Sequence, residues 1–200
     1  MKKERKWHVL LYLNQLLYKE LPYLHKSLQG GTMSTVSRSG CGLCSMSMVV
    51  DHLTMQSLPI EDCVKLSEDC GANRWTGTSI GVLGPVAAEK FGLDYAETND
   101  PEEMLACLHG GGRVIVHIGG DREGHIGVFS HGGHFITLIS EENGCIGVLD
   151  PSWKPGKFDE EGRVGKVDTT YAPVLSCTLD VLMADTENRS PRFHLFRRKL

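Results

Sequence analysis

The chain has 200 residues, 40% of them apolar, with a net charge of −4 and an isoelectric point near 6.1. That length and content can bury one sizeable core, so a single domain over residues 1–200 is expected. The charge gives no electrostatic footprint for nucleic acid, and no apolar run approaches the ~20 residues of a membrane span.

The basic ends, Lys2 to Lys6 and Arg197 to Lys199, read as solvated termini. Trp7 to Leu13 superficially resembles the apolar part of a signal peptide. His8 interrupts it, Asn14 and Gln15 follow, and no small-residue cleavage site is present. The chain is therefore expected to be cytoplasmic. Its seven cysteines, odd in number and irregular in spacing, suit a reducing compartment.

Residues 7 to 24 are ambiguous. Trp7, Leu10, Leu11 and Leu17 fit a helical stripe, yet Val9 to Leu13 could equally be a short buried strand, and Pro22 ends the segment. Thr32 to Gly40 is small and polar and reads as a loop. From about Leu43 to Leu53 a helix is expected, because Met46, Val49, Val50 and Leu53 recur at the spacing of a buried face. Pro59 and Gly71 bracket a second helix. Gly77-Thr78-Ser79 opens a third, closed by Gly92, and Asn99-Asp100-Pro101-Glu102-Glu103 starts a fourth that stops at Gly110.

After that helix the period changes. Arg113 to Ile118, His134 to Ser140 and Cys145 to Leu149 read as strands, the last two joined by a tight turn at Asn143-Gly144. Pro155 to Gly165 is polar and turn-rich, as a surface excursion would be. A short helix over Leu179 to Ala184 and a closing strand over Phe193 to Phe196 complete the pattern. Helices first and an antiparallel sheet second make an α+β arrangement.

Cys41 sits where the loop enters the first helix. Unpaired N–H groups and the positive end of the helix dipole favour a thiolate there. A cysteine between glycines can also pack simply as a small hydrophobe, so its partners must decide. His134 begins one strand of the hairpin and Asp150 follows the other. Antiparallel pairing brings the start of one beside the end of the next, placing imidazole and carboxylate together at one edge. A cysteine at a helix start, a histidine and an orienting acid form the nucleophile–base–orienter arrangement of covalent acyl transfer.

Ser39-Gly40-Cys41-Gly42, an apolar helix, Gly133-His134-Phe135 and Leu149-Asp150-Pro151 together resemble the papain-like cysteine peptidases of the bacteriocin-processing type, peptidase family thirty-nine of the cysteine class. The likeness is greater to their stand-alone bacterial relatives, which lack the transporter, and spans roughly Leu10 to Trp153. It implies a papain-like fold, with an N-terminal helical half carrying the nucleophile at a helix N-terminus and packed on a C-terminal antiparallel sheet. It also implies a peptide or protein substrate; no cofactor or metal is expected, because a thiolate–imidazolium pair needs its lone pairs free for chemistry. Cys41 would be the nucleophile, His134 the base and Asp150 the orienter.

The family also has an oxyanion-hole glutamine upstream of the cysteine. Transporter-linked members carry it shortly before the nucleophile, where this chain has none. Gln15 and Gln29 are the upstream candidates, and Gln15 is preferred because stand-alone relatives tend to carry it on an early extended segment. Cys44 is a second departure, at a position that usually holds a small hydroxyl residue.

Three rivals use the same residues. Cys41 and Cys44 with His131 and His134 have the ligand types of a structural zinc site, although the histidine pair is tighter than usual. Cys41 and Cys44 also form a C-x-x-C pair of the redox kind, without the surrounding alternation of strands and helices. A non-catalytic peptide-binding module could keep the same fold. His125 and His131 are alternatives to His134 as base, but only His134 leads directly into a strand that can hold it.

Overall fold

The structure, a computed structural model, describes residues 10–24, 33–74 and 77–199. Residues 10–14 lack regular structure, Gln15–Leu17 form one 3-10 turn, and β1 (Pro22–Leu24) pairs antiparallel with β2 (Met33–Thr35). Pro22 thus opens a strand, and the helical stripe over residues 10–24 does not form. The part of that stripe carried by Trp7 lies outside the described residues, as does Gln29.

The short helix α1 (Val36–Ser39) turns at Gly40 into α2 (Cys41–Leu53). Gly40 has an ordinary φ of −90° but no room for a side chain. A Cβ there would lie 2.4 Å from Val36 Cγ1 and 2.5 Å from the Val36 carbonyl oxygen. The sharp entry into α2 therefore requires glycine for steric reasons.

Leu43, Met46, Met48, Val49 and Val50 of α2 are completely buried, so this helix is the interior axis of the molecule. Full burial of each such side chain contributes roughly 1.5–3 kcal/mol. Around α2 pack α3 (Ile60–Asp69) and α4 (Ile80–Phe91). The ribbon β3 (Asn73–Arg74) and β4 (Gly77–Thr78) joins those two helices, and α4 ends at Gly92 in the left-handed conformation. The helix α5 (Pro101–His109) starts at Asp100, whose carboxylate accepts the Glu102 N–H at 2.8 Å.

The sheet has six strands in the order β5-β10-β6-β7-β8-β9, with every neighbouring pair antiparallel. They are β5 (Leu93–Thr98), β6 (Arg113–Ile118), β7 (His134–Glu142), β8 (Cys145–Leu149), β9 (Val174–Thr178) and β10 (Phe193–Arg198). Asn143 and Gly144 take φ of 54° and 80°, the two-residue turn that matches the twist of a hairpin. Ile115, Phe135 and Phe196 pack toward α2, α3 and α4. Val114, Val116, Ile136, Leu138 and Val148 pack toward α5 and α6 (Leu179–Thr186).

Two edge strands, β5 and β9, have no counterpart in the sequence reading. In β5, Asp94, Ala96 and Glu97 are exposed, so the strand lacks the apolar face that makes an alternation visible. Among the described residues, no helix is long and apolar enough to cross a membrane.

Candidate active site

Cys41 is the first residue of α2, half-buried, with Gly40 as N-cap and no capping side chain. The first-turn N–H groups have no acceptor within the helix and point toward the thiol end. His134 is the first residue of β7 and Asp150 directly follows β8. The pairs Leu138 with Val148 and Thr137 with Leu149 extend the register so that Asp150 falls opposite Ile136. His134 and Asp150 are then diagonal neighbours on one face. His134 Nε2 donates to Asp150 Oδ1 at 2.8 Å, with both side chains buried.

Nε2 being turned to Asp150, Nδ1 is left for the thiol. Burial alone would raise the Cys41 thiol pKa. Interaction with the His134 ring, its charge, and the N–H groups of Phe135 and Gly42 outweigh burial and hold it below the ordinary value. Burial likewise works against the imidazolium, but the Asp150 carboxylate and Cys41 raise His134 to about 9. Asp150 is buried too, yet the His134 and Lys157 charges hold it well below the usual carboxylate range. The lowered thiol and the raised imidazole both favour a thiolate beside an imidazolium.

Four side chains around the Asp150 turn escaped the sequence reading. Ser152 donates its N–H to Asp150 Oδ1 at 2.8 Å, and its hydroxyl lies 3.1 Å from His134 Nε2. Lys157, from the turn after Asp150, is buried and ion-paired with Asp150 Oδ2, and it donates to the Ser152 hydroxyl at 2.7 Å. Tyr12 donates its hydroxyl to the Asp150 carbonyl at 2.8 Å, and the Asn14 amide reaches the Trp153 carbonyl at 2.8 Å. The N-terminal segment thus clasps the Asp150 turn. A lysine in a stretch as polar as Pro155–Gly165 carries no sequence signal of burial.

Gln15 is buried in the 3-10 turn and spans the two site segments. Its backbone N–H donates to the Pro151 carbonyl at 2.8 Å, and its Nε2 donates to the Ser37 carbonyl at 3.0 Å, four residues before Cys41. One amide hydrogen is therefore committed to the turn leading into α2.

The other histidines lie elsewhere. His125 Nε2 donates to Asp185 Oδ1 at 2.7 Å, and Asp185 also accepts the Val128 and Phe129 N–H groups, fixing the loop that leads to His134. His131 bridges Asp121 and Glu160 on the surface. Cys44 points into the core, where burial raises its thiol well above the ordinary value. Among the described residues, no three His, Cys, Asp or Glu side chains could hold a metal ion together. The four-ligand set Cys41, Cys44, His131 and His134 is therefore not assembled. This corrects the zinc alternative: His131 lies in a bend before β7 and pairs with Asp121 and Glu160 on the surface, whereas His134 is buried against Asp150.

A cleft of about 700 Å³ opens beside the thiol, lined by Cys41, His134, Thr78, His117, Arg189 and His194 among others. Burial pushes His117 and His194 down to about 4, so both walls are neutral imidazoles at pH 7.

No family model matches the chain, and no curated protein is a significant relative. Solved structures do match. A Bacillus anthracis protein described as a C39-like peptidase superposes with a TM-score of 0.59 at 13% identity, over 95% of both chains. The peptidase domain of Streptococcus ComA, a bifunctional ABC transporter involved in a quorum-sensing pathway, gives 0.52 at 13% identity, over 88% of this chain and 98% of that one. The helical half carrying Cys41 and the six-stranded antiparallel sheet thus form the papain-like fold of the C39 peptidases.

Proposed function

We propose that the chain, as one domain over residues 1–200, is a cysteine peptidase or amidase acting on a peptide-type bond through a thioester. The observation that carries this reading is the Cys41–His134–Asp150 constellation, with a lowered thiol beside a raised imidazole.

In the reaction, the Cys41 thiolate adds to the substrate carbonyl carbon, whose π electrons move to oxygen. The Cys41 N–H at the start of α2 and the second amide hydrogen of Gln15 stabilise that oxyanion. The oxyanion collapses, the C–N bond breaks, and His134 gives its proton to the leaving amine. Neutral His134 then takes a proton from water as it attacks the thioester, and Cys41 leaves as thiolate. Asp150 holds the ring in place and stabilises its charged form.

The non-catalytic alternative has no need of a depressed thiol beside a charged imidazole, and the lowered Cys41 favours catalysis over it. The test is digestion of a diverse peptide library by the wild type and by Cys41→Ala, read by mass spectrometry. Cleavage by the wild type that the variant lacks supports the proposal. No cleavage by either, with the wild type folded, goes against it.

A further inference from the structure

We propose that Lys157 is a positioning residue of this site, a buried cation that fixes the second oxygen of Asp150 and through it sets the charge balance of His134 and Cys41. The inference rests on the thiol reading of Cys41 given above.

Asp150 has no contact with solvent, and its two oxygens have separate partners. Oδ1 accepts from His134 Nε2 and from the Ser152 N–H, each at 2.8 Å. Oδ2 faces the Lys157 ammonium, which also donates to the Ser152 hydroxyl. A carboxylate gripped at both oxygens cannot rotate about its terminal bond. The oxygen that orients His134 is thereby held in one place.

Lys157 is itself held. Its carbonyl accepts from Arg163 Nη1 at 3.4 Å, and Arg163 Nε donates to the Gly127 carbonyl at 2.8 Å, in the loop that leads to His134. The turn carrying the lysine and the loop carrying the histidine are therefore tied together through one buried arginine.

In the active form the charges alternate: Lys157 positive, Asp150 negative, His134 positive, Cys41 negative. Four such charges sum to zero in a buried site, whereas the triad alone would leave one net negative charge there. Low dielectric makes that excess costly, and the cheapest relief is a proton on the thiol or tighter proton retention by the imidazole. On the buried side, the titratable and charged groups facing this chain of charges are Tyr12, Tyr23, Cys44 and Arg163. The tyrosines and Cys44 are raised, so they stay neutral; Arg163 is balanced by its ion pair with Glu160 at 3.3 Å, and Arg74, Glu97 and Arg189 line the open cleft in front of the thiol. A lysine placed only to fill space would not need a carboxylate partner at the far side of a histidine.

The experiment follows the rate of Cys41 alkylation by iodoacetamide against pH, with mass mapping, in the free protein without substrate. The variants are Lys157→Met, Lys157→Gln and Lys157→Arg, each checked for fold by circular dichroism. In the wild type the rate should rise through the thiol transition and change again as His134 deprotonates. In both neutral variants the two midpoints should move to higher pH by about one unit, the scale of losing one nearby charge. Lys157→Arg should keep both within a few tenths of a unit.

Lower rates with unmoved midpoints would mean that Lys157 only supports the turn, and would overturn the proposal. So would an arginine variant that behaves like the neutral ones. Should neither neutral variant fold, Lys157→Arg decides alone: wild-type midpoints support the cation's role, displaced ones refute it. A wild type with no depressed thiol transition at Cys41 would instead refute the thiol reading itself.

Discussion

Asp150→Asn removes one charge while keeping the side-chain shape, and its consequences can be worked out from the site. His134 stands at about 9 because the Asp150 carboxylate and the Cys41 thiolate overcome burial, which is the largest single influence and acts downward. Without the carboxylate, burial prevails and the ring should titrate below its ordinary 6.5. That change corresponds to at least on the order of 3 kcal/mol of imidazolium stabilisation. Lys157 would lose its counter-charge, and breaking a buried ion pair costs roughly 3–5 kcal/mol unless the lysine sheds its proton.

The stability curve should change on both sides. In the wild type, the raised His134 contributes stability that is complete below pH 6.5 and lost as pH rises through about 9. The depressed Asp150 contributes stability present above its ordinary 3.8 and lost as pH falls through its folded value. Asp150→Asn should be less stable at pH 6 and should flatten both slopes. Urea unfolding between pH 2 and 10, with NMR titration of the His134 ring, measures both effects. A ring still titrating near 9 in the variant, or an unchanged alkaline fall in stability, would refute the electrostatic account.

Gln15→Ala should lower peptide turnover by ~10²–10³-fold while leaving Cys41 alkylation nearly unchanged, if the amide serves the oxyanion; an equal loss of alkylation would mean it only supports the Ser37 turn. Gly40→Ala should cost about 1–3 kcal/mol in urea unfolding, because the new methyl meets Val36 at 2.4 Å. It should also slow Cys41 alkylation by shifting the start of α2, and a variant with wild-type stability and reactivity would show that the entry turn is not steric.

What the sequence made legible were features with local causes. The Met46–Leu53 periodicity, the Asp100-Pro101 helix start and the Asn143-Gly144 turn each act through nearest neighbours, and each appears in the fold. The approach of His134 to Asp150 was legible in outline, because the hairpin brings the two strand ends together, but the bulge between Leu138 and Ser140 that puts both on one face was not. The edge strand β5 was not, since Asp94 and Glu97 leave it without an apolar face and its pairing partner β10 lies about a hundred residues away in the chain. Lys157 was hidden for a related reason: its burial depends on Asp150 and Ser152 folding back over it, which no composition window reveals. The N-terminal clasp through Tyr12 and Asn14 is a contact across more than 130 residues. It turns an ambiguous apolar stretch into a brace for the Asp150 turn.

The central claim is that Cys41 alone among the cysteines is an activated thiolate, and sub-stoichiometric iodoacetamide at pH 6 with peptide mapping tests it most directly. Cys145 is the control supplied by the fold, because it is exposed while Cys41 is only half-buried. Access alone would favour Cys145, whereas a depressed thiol would favour Cys41. The account predicts that Cys41 is labelled well ahead of the other six and that His134→Ala abolishes this lead. Labelling of Cys145 first, or equal labelling of both, would contradict it.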